Sequence, residues 1–269
     1  FLVFALGAGW EWRGVPPVSS PTEGQRSAET LVILTNNRGQ HGGHSLRPFK
    51  NHIQPDVMVF QESSASAESY LRDSGYAEFL HGLTQGEFTL ISRFPVTRAE
   101  PLVYRDAIGE VPYAARFEMD WRGRPVAVYV AHFPSPRDPL LSMRRGAFLY
   151  GLPMPMAWWR QRRVEVSGFW LRQLAMANHL VKRLEAETLP HLVAGDFNAP
   201  HLGRVHRLLS SSLKDAHAEV GSGFGFTFPG ETRNPLAFGE PWLRIDHVFA
   251  SSPWQVEACW TESGRRSQH

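Results

Sequence analysis

One cysteine, Cys259, stands in 269 residues, so no intrachain disulfide is possible. A lone thiol in a strand-like apolar run reads as an inert core residue. Charge of one sign is equally scarce. The net charge is only +2, which leaves no global basic field to hold nucleic acid. No internal repeat is visible, which removes solenoids and propellers. The apolar run at the start, Phe1–Trp10, is too short to span a bilayer, which takes about 20 residues. Two readings of it stand level. It is the last turns of a membrane helix, with Trp10 and Trp12 at the interface, or it is a signal remnant or apolar segment packed on the domain. The chain does not begin with Met, as expected of a fragment or a processed form.

What is present is ordinary in bulk and informative in pattern. Apolar residues make up 42% and charged residues 20%, as in a globular protein with a sizeable core. Val15 to Arg26 is rich in Pro, Ser and Gly and reads as a linker. The division expected is an apolar segment and linker over 1–26 and one domain over 27–269. Two strings carry the chemistry. His191-Leu192-Val193-Ala194 runs into Gly195-Asp196-Phe197-Asn198, and Pro55-Asp56-Val57-Met58-Val59-Phe60 runs into Gln61-Glu62. Runs this short and apolar read as buried strands. Alternation along a strand is expected to put Asp196 and Asn198 on one face. Acids at buried strand tips build a hard, oxygen-lined site of the kind Mg²⁺ or Mn²⁺ prefers.

Four further segments follow the same logic. Leu31 to Asn37 is a strand ending in amides, and Val126 to His132 is a strand ending in His. Arg244 to Phe249 is a strand carrying Asp246, and Ser267-Gln268-His269 ends the sequence. Helices are expected over 45–54, over 64–73 and, most strongly, over 169–187. In the last of these, Trp170, Leu174, Ala177, Val181 and Leu184 recur at helical spacing. Strands are expected over 76–81, 87–92, 113–121, 125–132, 244–251 and 255–261.

In this order the motifs resemble the endonuclease/exonuclease/phosphatase superfamily, the DNase I-like phosphoesterases. Thr89 to Pro95 and Gly225 to Pro229 are similar to two further stretches of that family, and the resemblance runs from Leu31 to His269. It implies a four-layer α/β/β/α sandwich of two packed mixed sheets flanked by helices. It implies a phosphoric ester hydrolase dependent on Mg²⁺ or Mn²⁺. Glu62 and Asn37 would be metal ligands. Asp196 would orient or deprotonate the attacking water, and Asn198 would donate to a phosphoryl oxygen. His132 and His269 would face the phosphate, with Asp246 fixing the tautomer of His269. Gln268 stands where the family carries an Asp beside the final His. One negative charge is thus missing from the metal set, and a single, more weakly held ion is expected. Arg116 is a candidate for the substrate phosphate, with an exposed salt bridge as the equal alternative.

Pro139 to Gly168 does not fit the rhythm and reads as an insertion beside the site. It carries Trp158, Trp159 and several Met and Leu, interleaved with Arg144, Arg145, Arg160, Arg162 and Arg163, and Glu165 is its only acid after Asp138. Trp and Arg together suit a membrane interface, and they could also stack and clamp single-stranded nucleic acid. The first expectation is therefore a membrane-associated or exported enzyme acting on a lipid-linked or headgroup phosphate, with Trp158 and Trp159 at the substrate side. A core or dimer contact ranks second for the segment and a DNase-like nuclease third. A weakened binding module is the remaining alternative for the whole chain.

Overall fold

The computed structural model describes residues 29–39, 46–136, 156–228 and 241–262, and over 156–163 the backbone alone. Outside these residues lie Phe1–Trp10 and the linker, the first part of the expected insertion, the Trp158 and Trp159 side chains, Gln268 and His269.

The small sheet is built from β1 (Ile33–Asn37), β2 (Val57–Gln61), β3 (His81–Gln85) and β4 (Phe88–Ser92), in the order β1-β2-β4-β3. The large sheet takes β5 (Val96–Asp106), β6 (Gly109–Trp121), β7 (Arg124–His132), β8 (His191–Asp196), β9 (Lys214–Asp215) and β10 (Asp246–Ala250), in the order β5-β6-β7-β8-β10-β9. Helices α1 (Arg47–Ile53) and α2 (Ala67–Arg72) cover the small sheet. The long α3 (Met156–Glu185) and the short α4 (Arg204–Ser210) pack on the large one, and α5 (Ala216–Val220) follows β9. This is the four-layer sandwich expected from the sequence.

Three apolar clusters bind the layers. Between the sheets, Val57, Val59 and Leu90 meet Phe117, Val128, Val130 and Ala194. Outside the large sheet, Met176, Ala177, Leu180 and Leu184 of α3 cover Tyr129, Val193 and Phe249. Outside the small sheet, Met58, Phe60 and Ile91 sit under Leu46, Tyr70 and Tyr76. The strands are continuous apolar runs because both faces are covered.

Local expectations fail in instructive places. The strand expected over 76–81 begins only at His81, as β3. Asp73 accepts the Gly75 N–H at 2.7 Å, a single 3₁₀ turn follows over Ser74–Tyr76, and Tyr76 and Phe79 are buried under the small sheet. The second helix starts at Ala67, later than expected, because Ser66 is its N-cap. β5 carries no clear strand pattern in the sequence because Arg98 and Arg105 face solvent and Pro101 interrupts it. It is an edge strand, where proline is tolerated. Residues 255–261 make only an isolated bridge, Cys259 to Gly221. The long helix begins at Met156, thirteen residues before its expected start, so the end of the unusual segment is its first turns.

Candidate active site

β1 and β2 run parallel in one sheet, and β7 and β8 run parallel in the other. Their C-terminal ends share one edge of the sandwich. Register places Asn37 beside Gln61, His132 beside Asp196, and Asp196 beside Asp246. The Asn37 amide spans the gap between the sheets. Its Nδ2 donates to Glu62 Oε1 at 3.1 Å and to Asp196 Oδ2 at 3.0 Å.

Each tip has a local cause. Gln61 is fully buried and donates from Nε2 to Thr35 Oγ1 at 3.1 Å, which pins the ends of β1 and β2 together. Glu62 then turns with φ 49°, a left-handed conformation that costs a non-glycine residue of order 1 kcal/mol. Its carboxylate lies so close over Gly39 that a Cβ there would stand 2.1 Å from Oε2. Gly195 has φ 145°, and a Cβ on it would lie 2.0 Å from the Ala131 carbonyl oxygen. Only glycine lets β8 approach β7 closely enough to seat Asp196.

Asn198 meets Asp196, but not through strand alternation. β8 ends at Asp196, and Asn198 sits beyond it with φ 46°. Its backbone N–H donates to Asp196 Oδ1 at 2.8 Å, the hydrogen bond of an Asx turn. Its Nδ2 donates to Phe133 O at 2.8 Å and to Asp196 Oδ2 at 3.2 Å. Both amide hydrogens thus brace Asp196 and the end of β7.

His132 lies between two acids, one of which the sequence reading missed. Its Nδ1–H donates to Glu87 Oε1 at 3.0 Å, and its Nε2 is 3.4 Å from Glu62 Oε1. Burial alone would lower its pKa. The hydrogen bond to Glu87 and the charges of Asp196, Glu87 and Glu62 outweigh that, so the pKa is raised. Glu87 precedes β4 at a Gln85-Gly86-Glu87 turn, and nothing in that string marks it as a partner of a residue 45 positions away.

Arg116 is not brought to this cluster. Its neighbours Ala115 and Phe117 face the inter-sheet core, so Arg116 points to the opposite face of the large sheet. There its Nε donates to Glu187 Oε2 at 2.6 Å, and Nη1 donates to Glu118 at 3.0 Å and Glu100 at 3.4 Å. With three carboxylates around it, the guanidinium is a structural tie and not a phosphate clamp. Asp246 is at the cluster's edge, its N–H donating to Thr227 Oγ1 at 3.2 Å. His247 faces away, with Nε2 donating to Ala199 O at 3.0 Å, as a structural residue would.

The oxygen donors at this edge suit a divalent ion. Glu62 and Asp196 converge on one amide, Glu87 and Asp246 lie nearby, and the field of three of these acids already raises the His132 pKa. A hard cation is the natural counter-charge for so many oxygens. Glu62 fits as a residue that would hold it, whereas Asn37 turns its Nδ2 to both acids and its Oδ1 accepts from the Gly39 N–H at 2.8 Å. His206, Asp215 and His247 also bring ligand atoms within 4.8 Å of one another. There, however, Asp215 already accepts from Arg244 Nη1 at 2.9 and 3.0 Å and from His206 Nε2 at 2.6 Å. A divalent ion would have to sit against the guanidinium, so that cluster is a closed ion pair.

A model of the endonuclease/exonuclease/phosphatase family matches residues 33–269. No curated protein matches significantly. Among solved structures, a humanized D. rerio TDP2 carrying 14 mutations has a TM-score of 0.50 at 16% identity, covering 82% of this chain and 83% of that one. Sphingomyelinase C from Streptomyces griseocarneus gives the same values: TM-score 0.50, 16% identity, 82% and 83% coverage. At these identities the likeness is one of fold.

Proposed function

The chain belongs to the endonuclease/exonuclease/phosphatase family, and from that premise we propose that it is a Mg²⁺- or Mn²⁺-dependent phosphoester hydrolase. The observation that carries the reading is the Asn37 amide joining Glu62 of one sheet to Asp196 of the other, with His132 beside them. A bound cation, held by Glu62, would draw charge from the phosphoryl oxygens. Asp196 is 1% exposed and held by Asn37 and Asn198, which fixes its carboxylate to orient a water and take its proton. Asn198 acts as a positioning residue. His132, whose pKa is raised against burial by Glu87, Asp196 and Glu62, would in its protonated form donate to charge developing on the phosphate.

The substrate class favoured is a phosphate carried by a membrane lipid, from the Trp- and Arg-rich composition of 139–168. The test is a hydrolysis panel with Mg²⁺, Mn²⁺ or chelator, using sphingomyelin, phosphoinositides, a polyprenyl pyrophosphate, plasmid DNA, RNA and a chromogenic bis-ester. Metal-dependent cleavage of the bis-ester and of a lipid supports the proposal. Cleavage of DNA without the lipids replaces the substrate reading with a nuclease. Chelator-resistant cleavage overturns the metal reading.

A further inference from the structure

Two elements outrun the sheet at the end that carries the site. Gln173 of α3 donates from Nε2 to Pro134 O at 2.8 Å, so the helix draws level with the end of β7 at that residue. The turns before Gln173, from Met156 to Arg172, span about 25 Å at 1.5 Å per residue. Register pairs Ala114 with Ala131, and the β5–β6 hairpin continues beyond it to the Asp106–Gly109 pair. Arg172 clamps this tip to the helix. Its Nε is 2.8 Å from Asp106 Oδ2, and its Nη2 donates to Asp106 Oδ1 at 3.0 Å and to Gly109 O at 3.2 Å.

Around the clamp, aliphatic side chains stand in solvent. Ile108 at the hairpin tip is 78% exposed, Leu171 66% and Val164 70%. Val164 and Leu171 are seven residues apart, two turns on one helix face. The overhang also carries Arg160, Arg162 and Arg163 in sequence against the single acid Glu165.

We propose that the overhanging turns of α3 and the β5–β6 tip form a docking surface for an anionic lipid bilayer, with Ile108, Val164 and Leu171 entering the interface. The inference rests on the phosphoesterase reading for its purpose, which is to bring the neighbouring site to a surface that holds phosphate. Charge decides among occupants. Over Met156–Arg172 and the tip from Arg105 to Glu110 the sequence carries five arginines against Asp106, Glu110 and Glu165, so two copies meeting here would bring like net charge together, whereas an anionic bilayer complements it. Among the described residues the exposed large apolar side chains are aliphatic, which suits acyl-chain insertion better than base stacking, whereas Phe169 and Trp170 on the same turns are half-buried and packed edge-on against each other.

The experiment is vesicle flotation of the full chain with phosphatidylcholine vesicles, with and without phosphatidylserine. It compares the wild type with the triple variant Ile108→Asn, Val164→Gln, Leu171→Gln. The wild type is expected to bind the phosphatidylserine vesicles, less so as salt rises. The triple variant should bind about tenfold more weakly, with unchanged melting temperature and unchanged Mg²⁺-dependent hydrolysis of a soluble bis-ester. Wild-type failure to bind, or equal binding by the variant, overturns the surface. So does a wild-type dimer that the variant converts to monomer without vesicle binding, and so does a loss confined to single-stranded DNA binding. If neither protein cleaves the bis-ester, the phosphoesterase reading falls separately, and flotation still judges the surface.

Discussion

Two polar clusters lie on opposite faces of the large sheet, and they differ in how their charge is balanced. On the outer face, Asp215 is enclosed by Arg244 and His206, all three nearly out of solvent. Between the sheets, Glu62, Glu87 and Asp196 surround a single titratable cation, His132. The outer cluster pulls the Asp215 pKa down, burial working against it and His206 and Arg244 prevailing, while His247 beside it is held neutral by burial and by Arg244. A closed, neutral cluster of this kind ties β9 and α4 to the loop before β10. An open, negatively charged one binds something else.

The sharpest way to break this comparison is to remove one charge from each cluster. Asp196→Asn keeps the shape and should lower metal-dependent turnover by about 10²–10⁴-fold, with little change in denaturation midpoint. Undiminished turnover would place the chemistry elsewhere. Arg244→Ala should do the reverse. Leaving Asp215 buried without its one guanidinium, held only by His206 and the His217 and Ala218 N–H groups, is expected to cost about 3–5 kcal/mol of stability, read by urea titration. A stable Arg244 variant with lost turnover would erase the distinction between the clusters.

Glu87→Gln tests the open cluster more gently. Without that charge the His132 pKa should fall, so the protonated donor is lost at lower pH. The alkaline limb of kcat should move to lower pH, with about tenfold loss at neutral pH. An unmoved limb would show that Glu87 does not tune His132.

The smallest effect concerns acid stability. The Glu187 pKa is lowered from 4.5 to about 2, burial opposing and the hydrogen bonds from Arg116, Leu189 N–H and Tyr129 prevailing. Its contribution is therefore complete above pH 4.5 and is lost as pH falls through about 2. Glu187→Gln should flatten the urea midpoint against pH in that window, and a slope as steep as the wild type's would assign acid sensitivity to other carboxylates such as Asp215.

Parts of the site were legible because they sit where a local pattern stops. Asn37, Glu62, His132 and Asp196 each end a run of buried apolar residues, and a buried run that closes on a polar side chain signals a sheet edge with a purpose. Glu87 has no such run before it, and Arg116 lies within one, so neither could be placed by pattern. Asn198 does lie beside Asp196, but a left-handed turn and not the pleat returns it there.

By itself the amino-acid order determined which segments are strands with covered faces, where the polar tips fall and which family the chain resembles, because hydrophobic period and tip chemistry are local properties. Only the tertiary structure decided that Asn37 bridges to Asp196 across 159 positions. It alone gave His132 the partner Glu87, turned Arg116 to the far face and carried α3 beyond the end of the sheet. Those outcomes depend on register and on which face each sheet presents. A shift of one residue reverses every side chain in a strand, and no short window of sequence contains that choice.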